Sequence, residues 1–357
     1  MASLITTFGT MQRRSRRAAK RPPPPAVTAG DVSTEVACAL SEMELLARGD
    51  VPRSVPLASS RAARVYRVDL AWGRVCLKQA VAHDDAMVDT FTTARAGAEV
   101  AWLKVASSVV PGAAPAVLGS QPRRAAFASD YLDPAEFPSW QSQLASGQVD
   151  HGTATELGHL IGRLHAASAN SIVLAERFAM QTAFRALCLE PLFAPIALEQ
   201  RHHSAPLAEI AEELTTLRIG LVHGGLTPDN VLAGPRGPVL IDADCAHYGD
   251  PMFDVATCLA ALATRMAAQR ELDEALAASF DAFRHSYFAH VTWEMPQHAE
   301  ARAARLVPVL LAAALANEQF AAAAFDCPRE ASRALLTAPP ARLEELAQTW
   351  RHALAAA

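Results

Sequence analysis

The chain has 357 residues, a formal charge of −5 and a hydrophobic fraction of 51% inflated by alanine, enough for one large domain or a two-lobed unit. Its longest apolar stretch, Leu306–Ala316, falls short of the roughly 18 residues that a membrane span needs, so no membrane helix is expected. The six cysteines, Cys38, Cys76, Cys188, Cys245, Cys258 and Cys327, show no C-x-x-C spacing; neither a zinc site nor a disulfide framework is expected, and the chain reads as cytoplasmic.

Residues 1–30 contain six basic residues (Arg13, Arg14, Arg16, Arg17, Lys20, Arg21) and no acid, followed by Pro22–Pro25. The net charge therefore divides into +6 for this stretch and −11 for residues 31–357. Such composition reads as a tail: a disordered extension, an overlong start upstream of Met11, a transit peptide or a contact for nucleic acid. No apolar run follows the arginines, so no secretory signal is read.

Within Asp31–Asp50, Val36, Leu40, Met43 and Leu45 mark a short helix leading into the fold. Ala63–Leu70 and Arg74–Gln79 read as strands joined through Ala71-Trp72-Gly73, and the preceding loop, Leu57–Ala63, has no glycine with which to cradle a phosphate. Lys78 lies in the middle of the second strand. The chain has only 3 lysines against 29 arginines, so where a lysine survives, a compact ammonium has a use that a guanidinium does not serve. Ala86–Ser107 is periodic at Val88, Phe91, Ala94, Ala98, Ala101 and Trp102, and this helix carries Glu99. Two more strands, Ala114–Gly119 and Arg124–Leu132, end at Asp133-Pro134. Thr153–Ala169 forms an amphipathic helix with Leu157, Leu160, Ile161 and Leu164 inward and His165 packed at its end. The segment Phe184–Leu192 suggests no chemistry, and residues 207–219 form a helix.

The densest chemistry lies in Leu221–Asp254. Two apolar runs, Asn230–Ala233 and Pro238–Asp242, flank Gly234-Pro235-Arg236-Gly237, a hairpin signal that brings Asn230 close to Asp242. Either residue alone fits a solvated surface hairpin. Together they offer two hard oxygen donors, which suit Mg2+. Strand alternation places Asp242 and Asp244 on one face. Beyond them Asp250 and Pro251 read as the cap and first position of a helix, with Asp254 in its first turn.

His223-Gly224-Gly225-Leu226-Thr227-Pro228-Asp229-Asn230 has the form H-G-x-x-x-x-x-N, followed by Ile241-Asp242-Ala243-Asp244 and Gly249-Asp250-Pro251-Met252-Phe253-Asp254. In this order, after Lys78 and Glu99, the motifs resemble the aminoglycoside phosphotransferase family, grouped with choline kinase and methylthioribose kinase among small-molecule relatives of protein kinases. The resemblance covers residues 60–265. It implies an α+β, bilobal protein-kinase-like fold. Residues 31–134 would form a small nucleotide-binding lobe with an antiparallel sheet, and residues 135–357 a larger, mostly helical lobe.

The resemblance further implies ATP and Mg2+ as cofactors and a small-molecule hydroxyl as acceptor. Lys78, held by Glu99, would contact the α- and β-phosphates, and the backbone near Tyr131 and Leu132 the adenine edge. Asn230 and Asp242 would bind Mg2+, with Asp244 at a second ion. Asp254 would brace the catalytic loop begun by His223, although the helix dipole alone also accounts for an acid there. One departure stands out: the family's catalytic Asp falls at Gly225, and Asp229, read as a turn residue, is no substitute. Two functions follow: a working small-molecule kinase, slow or with its acceptor oriented by Asp244 or another carboxylate in a catalytic role, or an inactive nucleotide- or metabolite-binding regulatory protein. Residues after Asp254 carry eleven acids and nine arginines, too weak a field for an acidic antibiotic pocket. Nucleic acid is expected at most at the basic tail, and the oligomeric state is left open.

Overall fold

The computed structural model describes residues 29–47, 49–59, 63–81, 86–199, 204–316 and 325–356. The basic stretch 1–28 and residues 60–62 of the glycine-free loop lie outside the described residues.

The first lobe is a five-stranded antiparallel sheet of β1 (Arg53–Ser59), β2 (Ala63–Leu70), β3 (Gly73–Ala80), β4 (Val117–Gln121) and β5 (Ala126–Asp130), in the order β1-β2-β3-β5-β4. Alternation decides its faces. Tyr66, Val68, Val75, Leu77 and Ala128 form one apolar face, buried against Val36, Ala39 and Leu40 of helix α1 (Ala29–Glu42). Since Leu77 points there, Lys78 points the opposite way. Strand β1 corrects the sequence reading, which made Leu57 and Ala58 part of a loop. It escaped notice because Pro56 interrupts the pattern beside a register shift between Pro56 and Ala58, both features of an edge strand.

Helix α2 (Ala86–Val109) joins the lobes. Its Ala98, Ala101, Trp102 and Ala106 belong to the large core of the helical lobe, so the helix is fixed from that side. That lobe is built on α3 (His151–Ser168), α4 (Met252–Ala268), α5 (Asp273–Phe288), α6 (Pro296–Leu315) and α7 (Leu343–Ala355). Helix α4 is apolar nearly all round, with Val255, Cys258, Leu259, Leu262 and Ala263 buried, which places it at the centre of the core. Two short ribbons sit on the lobe's upper edge. Strands β6 (Gly220–Val222) and β9 (His247–Gly249) pair antiparallel, as do β7 (Val231–Gly234) and β8 (Gly237–Leu240) in the register expected from the glycine-proline turn.

Glycine decides the closest helix contact. A Cβ on Gly158 of α3 would overlap Ser286 Oγ and lie 2.6 Å from the Phe283 carbonyl oxygen of α5. Gly158→Ala should therefore lower the urea-denaturation stability by about 1–3 kcal/mol through overpacking. Gly97→Ala on the exposed face of α2, where nothing lies within 4 Å of an added Cβ, should instead gain up to about 1 kcal/mol.

Candidate active site

Where the lobes meet, a cleft of about 680 Å³ is lined by Val65, Cys76, Lys78, Phe127, Tyr131 and Asp242, among others. Lys78 extends from β3 onto its floor. Its Nζ meets both carboxylate oxygens of Glu99 at 2.7 Å and also contacts Asp242. Lys78 and Glu99 are both buried, so α2, β3 and the turn after β8 converge on three charges in a low-dielectric setting. Burial works against the Lys78 ammonium, but Glu99 and Asp242 outweigh it and raise its pKa. Burial lifts the Glu99 carboxyl to about 7 against the opposing pull of Lys78. Burial would also raise Asp242, but the Lys78 charge and hydrogen bond overcome it and hold that carboxyl below its ordinary value.

Asp242 follows the end of β8 at Leu240, so strand alternation does not aim it, contrary to expectation. Its backbone is left-handed, φ +63°, a conformation costly for a residue other than glycine and held here by its surroundings. Before it, Ile241 N donates to the Asn230 carbonyl oxygen at 3.1 Å, joining turn to loop. Asp244 also faces α2, where it pairs with Arg95. Asn230 donates through Nδ2 to the Gly225 carbonyl oxygen at 2.8 Å, which leaves its Oδ1 as an acceptor. An amide oxygen and an ionised carboxylate form a hard donor set that fits a divalent cation, and Asp242 already attracts the Lys78 cation.

The loop from His223 is held from beneath. Asp254, fully buried in the first turn of α4, accepts from His223 N at 2.7 Å and Gly224 N at 2.9 Å. His165 Nε2 lies 3.3 Å from the same carboxylate, and its Nδ1 lies 2.8 Å from the Tyr287 hydroxyl. Burial would raise the Asp254 carboxyl; the His165 and His223 contacts outweigh it and keep it ionised. The helix begins one residue later than expected, at Met252 with Pro251 in the cap position, although Asp250 Oδ1 still accepts from Met252 N at 3.1 Å.

His223 is buried and stands edge-on to Trp102, ring centroids 4.7 Å apart. Its Nε2 donates to the Ile241 carbonyl oxygen at 3.0 Å, and desolvation lowers its pKa, so the ring is neutral with Nδ1 unprotonated. Gly224 has φ +85°, and a Cβ there would overlap the Cys245 carbonyl oxygen, so this position demands glycine. Gly225 does not. A Cβ at Gly225 would lie 3.5 Å from Asn230 Nδ2 and 3.9 Å from His223 Nδ1, ordinary contact distances.

The structure thus brings together Lys78, Glu99, His223, Gly225, Asn230, Asp242, Asp244 and Asp254, and places Tyr131 and Leu132 on the cleft wall. Three features were not foreseen. Arg95 lies one turn before Glu99 on the same face of α2; that spacing was its only trace, lost among so many arginines. Tyr287 backs His165 from α5, a contact no local pattern announces. Finally, Cys188 and Cys245 form a disulfide, correcting the expectation of unpaired thiols. They are 57 residues apart, and only the tertiary fold brings the turn Arg185–Leu189 against the residue after Asp244.

A sequence model of the phosphotransferase enzyme family matches residues 53–288, a span that includes every site residue above. A choline/ethanolamine kinase family protein from Mesorhizobium loti is similar in structure, with 16% identity, TM-score 0.51, and coverage of 91% of this chain and 99% of that one. So is a Plasmodium vivax ethanolamine kinase, with 10% identity, TM-score 0.50, and coverage of 89% and 95%. The amicoumacin kinase hAmiN, in complex with AMP-PNP, Ca2+ and Ami, has 15% identity, TM-score 0.50, and coverage of 80% and 89%. These likenesses establish the bilobal kinase-like fold. No curated protein matches the sequence. Among the described residues no helix is long and apolar enough to cross a membrane.

The raised Glu99 carboxyl sets a pH dependence. Its ionised form holds Lys78, so nucleotide affinity measured by calorimetry should fall as pH drops through about 7, and Glu99→Gln should remove that inflection. Stability runs the other way: a carboxyl raised from 4.5 to about 7 favours folding below 4.5, and that contribution is lost as pH rises through about 7.

Proposed function

The chain belongs to the phosphotransferase enzyme family, and on that premise we propose that it transfers the γ-phosphoryl group of ATP to a hydroxyl of a small molecule, slowly for want of a carboxylate at Gly225. The observation that carries this reading is Lys78 fixed between Glu99 and Asp242 at the floor of the cleft. An ammonium held in this way meets phosphate oxygens as a positioned point charge. Residues 31–134 hold the nucleotide, with the backbone at Tyr131 and Leu132 against the adenine, and residues 135–357 carry the catalytic loop and the acceptor. Asn230 Oδ1 and Asp242 would hold Mg2+, which when bound would neutralise charge on the phosphates. Asp254 keeps the backbone of His223 and Gly224 in place, and with it the start of the loop that carries Asn230.

The acceptor oxygen bonds to the γ-phosphorus as the bond to the β–γ bridging oxygen breaks, and ADP leaves. With Gly225 in the loop, no carboxylate receives the hydroxyl proton, which passes to solvent. Losing a general base costs about 10²–10⁴ in rate, while positioning and charge stabilisation at the phosphates survive. The same glycine favours a second reading, a binding protein that holds nucleotide without turnover.

ATP consumption against a panel of hydroxylated metabolites separates the two. Wild type should turn over slowly, Gly225→Asp should raise kcat by about 10²–10⁴, and Lys78→Met should abolish activity. Turnover by the Gly225→Asp variant alone would make the wild type a binding protein.

A further inference from the structure

Building on the phosphotransferase reading, we propose that Arg95 is a positioning residue for Asp242, and that Asp244 is its anchor and not a ligand to a second metal ion. The geometry starts on α2, where Arg95 and Glu99 are one turn apart on the same face. Glu99 reaches the Asp242–Asp244 turn through Lys78, and Arg95 reaches it directly at Asp244. One helix therefore grips both ends of a three-residue turn.

That grip answers a need of the turn itself. The left-handed backbone at Asp242 is unfavourable and persists only where contacts on both sides enforce it. On the upstream side Ile241 N is bonded to the Asn230 carbonyl oxygen at 3.1 Å. On the downstream side Ala246 N closes onto the Ala243 carbonyl oxygen at 3.1 Å, and the Asp244 side chain is tied to Arg95. Without the Arg95 contact Asp242 relaxes towards an ordinary conformation, and its carboxylate turns from the Lys78 ammonium that it meets in the cleft.

The same pairing decides what Asp244 does. Arg95 is only 7% exposed, and a guanidinium cannot shed its charge to tolerate isolation. Drawing Asp244 away to coordinate an ion would strand that buried cation. Asp242 with Asn230 remains the donor pair, and Arg95 acts on it through Asp244 as an outer partner acts on a metal ligand.

Mn2+ binding in the presence of AMP-PNP, followed by electron paramagnetic resonance, tests this without turnover. Arg95→Met and Asp244→Asn should each weaken Mn2+ affinity about ten- to a hundredfold at unchanged stoichiometry, as loss of an outer partner of a metal ligand does. The double variant should be no weaker than either single one, since each breaks the same bridge. AMP-PNP affinity without metal should change little, and Arg95→Lys should recover part of the loss. Should Arg95→Met fail to fold, Asp244→Asn, at a half-buried position, carries the test. The inference is overturned if Asp244→Asn removes one of two Mn2+ sites, or if the folded variants bind Mn2+ as wild type does. Absence of any nucleotide-dependent Mn2+ binding in wild type would instead sink the phosphotransferase reading of the cleft, and the role of Arg95 with it.

Discussion

A lysine ammonium buried between two carboxylates is the constraint on which the rest of this structure depends. Removing one partner from such a cluster leaves an uncompensated charge in the interior and costs about 3–5 kcal/mol. The three members come from a strand, a helix and a turn, and Lys78 and Asp242 are 164 residues apart in sequence. Satisfying them together fixes how the sheet lobe sits on the helical lobe. Helix α2 bears the geometry, since Trp102 locks it into the helical core while Glu99 and Arg95 point at the turn.

Around that cluster the chain divides its labour. The turn bearing Asp242 is strained, and the loop bearing Asn230 has little regular structure of its own. Both are held by groups behind them: Asp254 with His165 and Tyr287 under the loop, Gly224 against the Cys245 backbone, and the Cys188–Cys245 disulfide beyond. Gly225 is the exception. Packing at the Cβ does not require a glycine there, so the missing carboxylate is not explained by a close backbone approach.

Much of this was legible in the sequence because local physics sets it. The hairpin about Gly234–Gly237 has the expected register, Lys78 lies within the expected strand, and the motifs from His223 to Asp254 kept their order. The edge strand Arg53–Ser59 was hidden by Pro56 and its bulge, where no clean period of two survives. Arg95, Tyr287 and the disulfide were illegible for another reason. Each matters through a partner far along the chain, and a buried arginine in a helix looks like a solvated one until its carboxylate is found. Asp242 meets Lys78 through a left-handed turn and not through the strand alternation read in the sequence.

The most direct measurement is a crystal structure with AMP-PNP and Mg2+. If Lys78, Asn230 and Asp242 form the phosphate and metal site, the triphosphate will contact the Lys78 ammonium, with an ion about 2.0–2.1 Å from oxygens of Asp242 and Asn230. A nucleotide seated outside this cleft, or an ion bound without either side chain, would contradict that assignment.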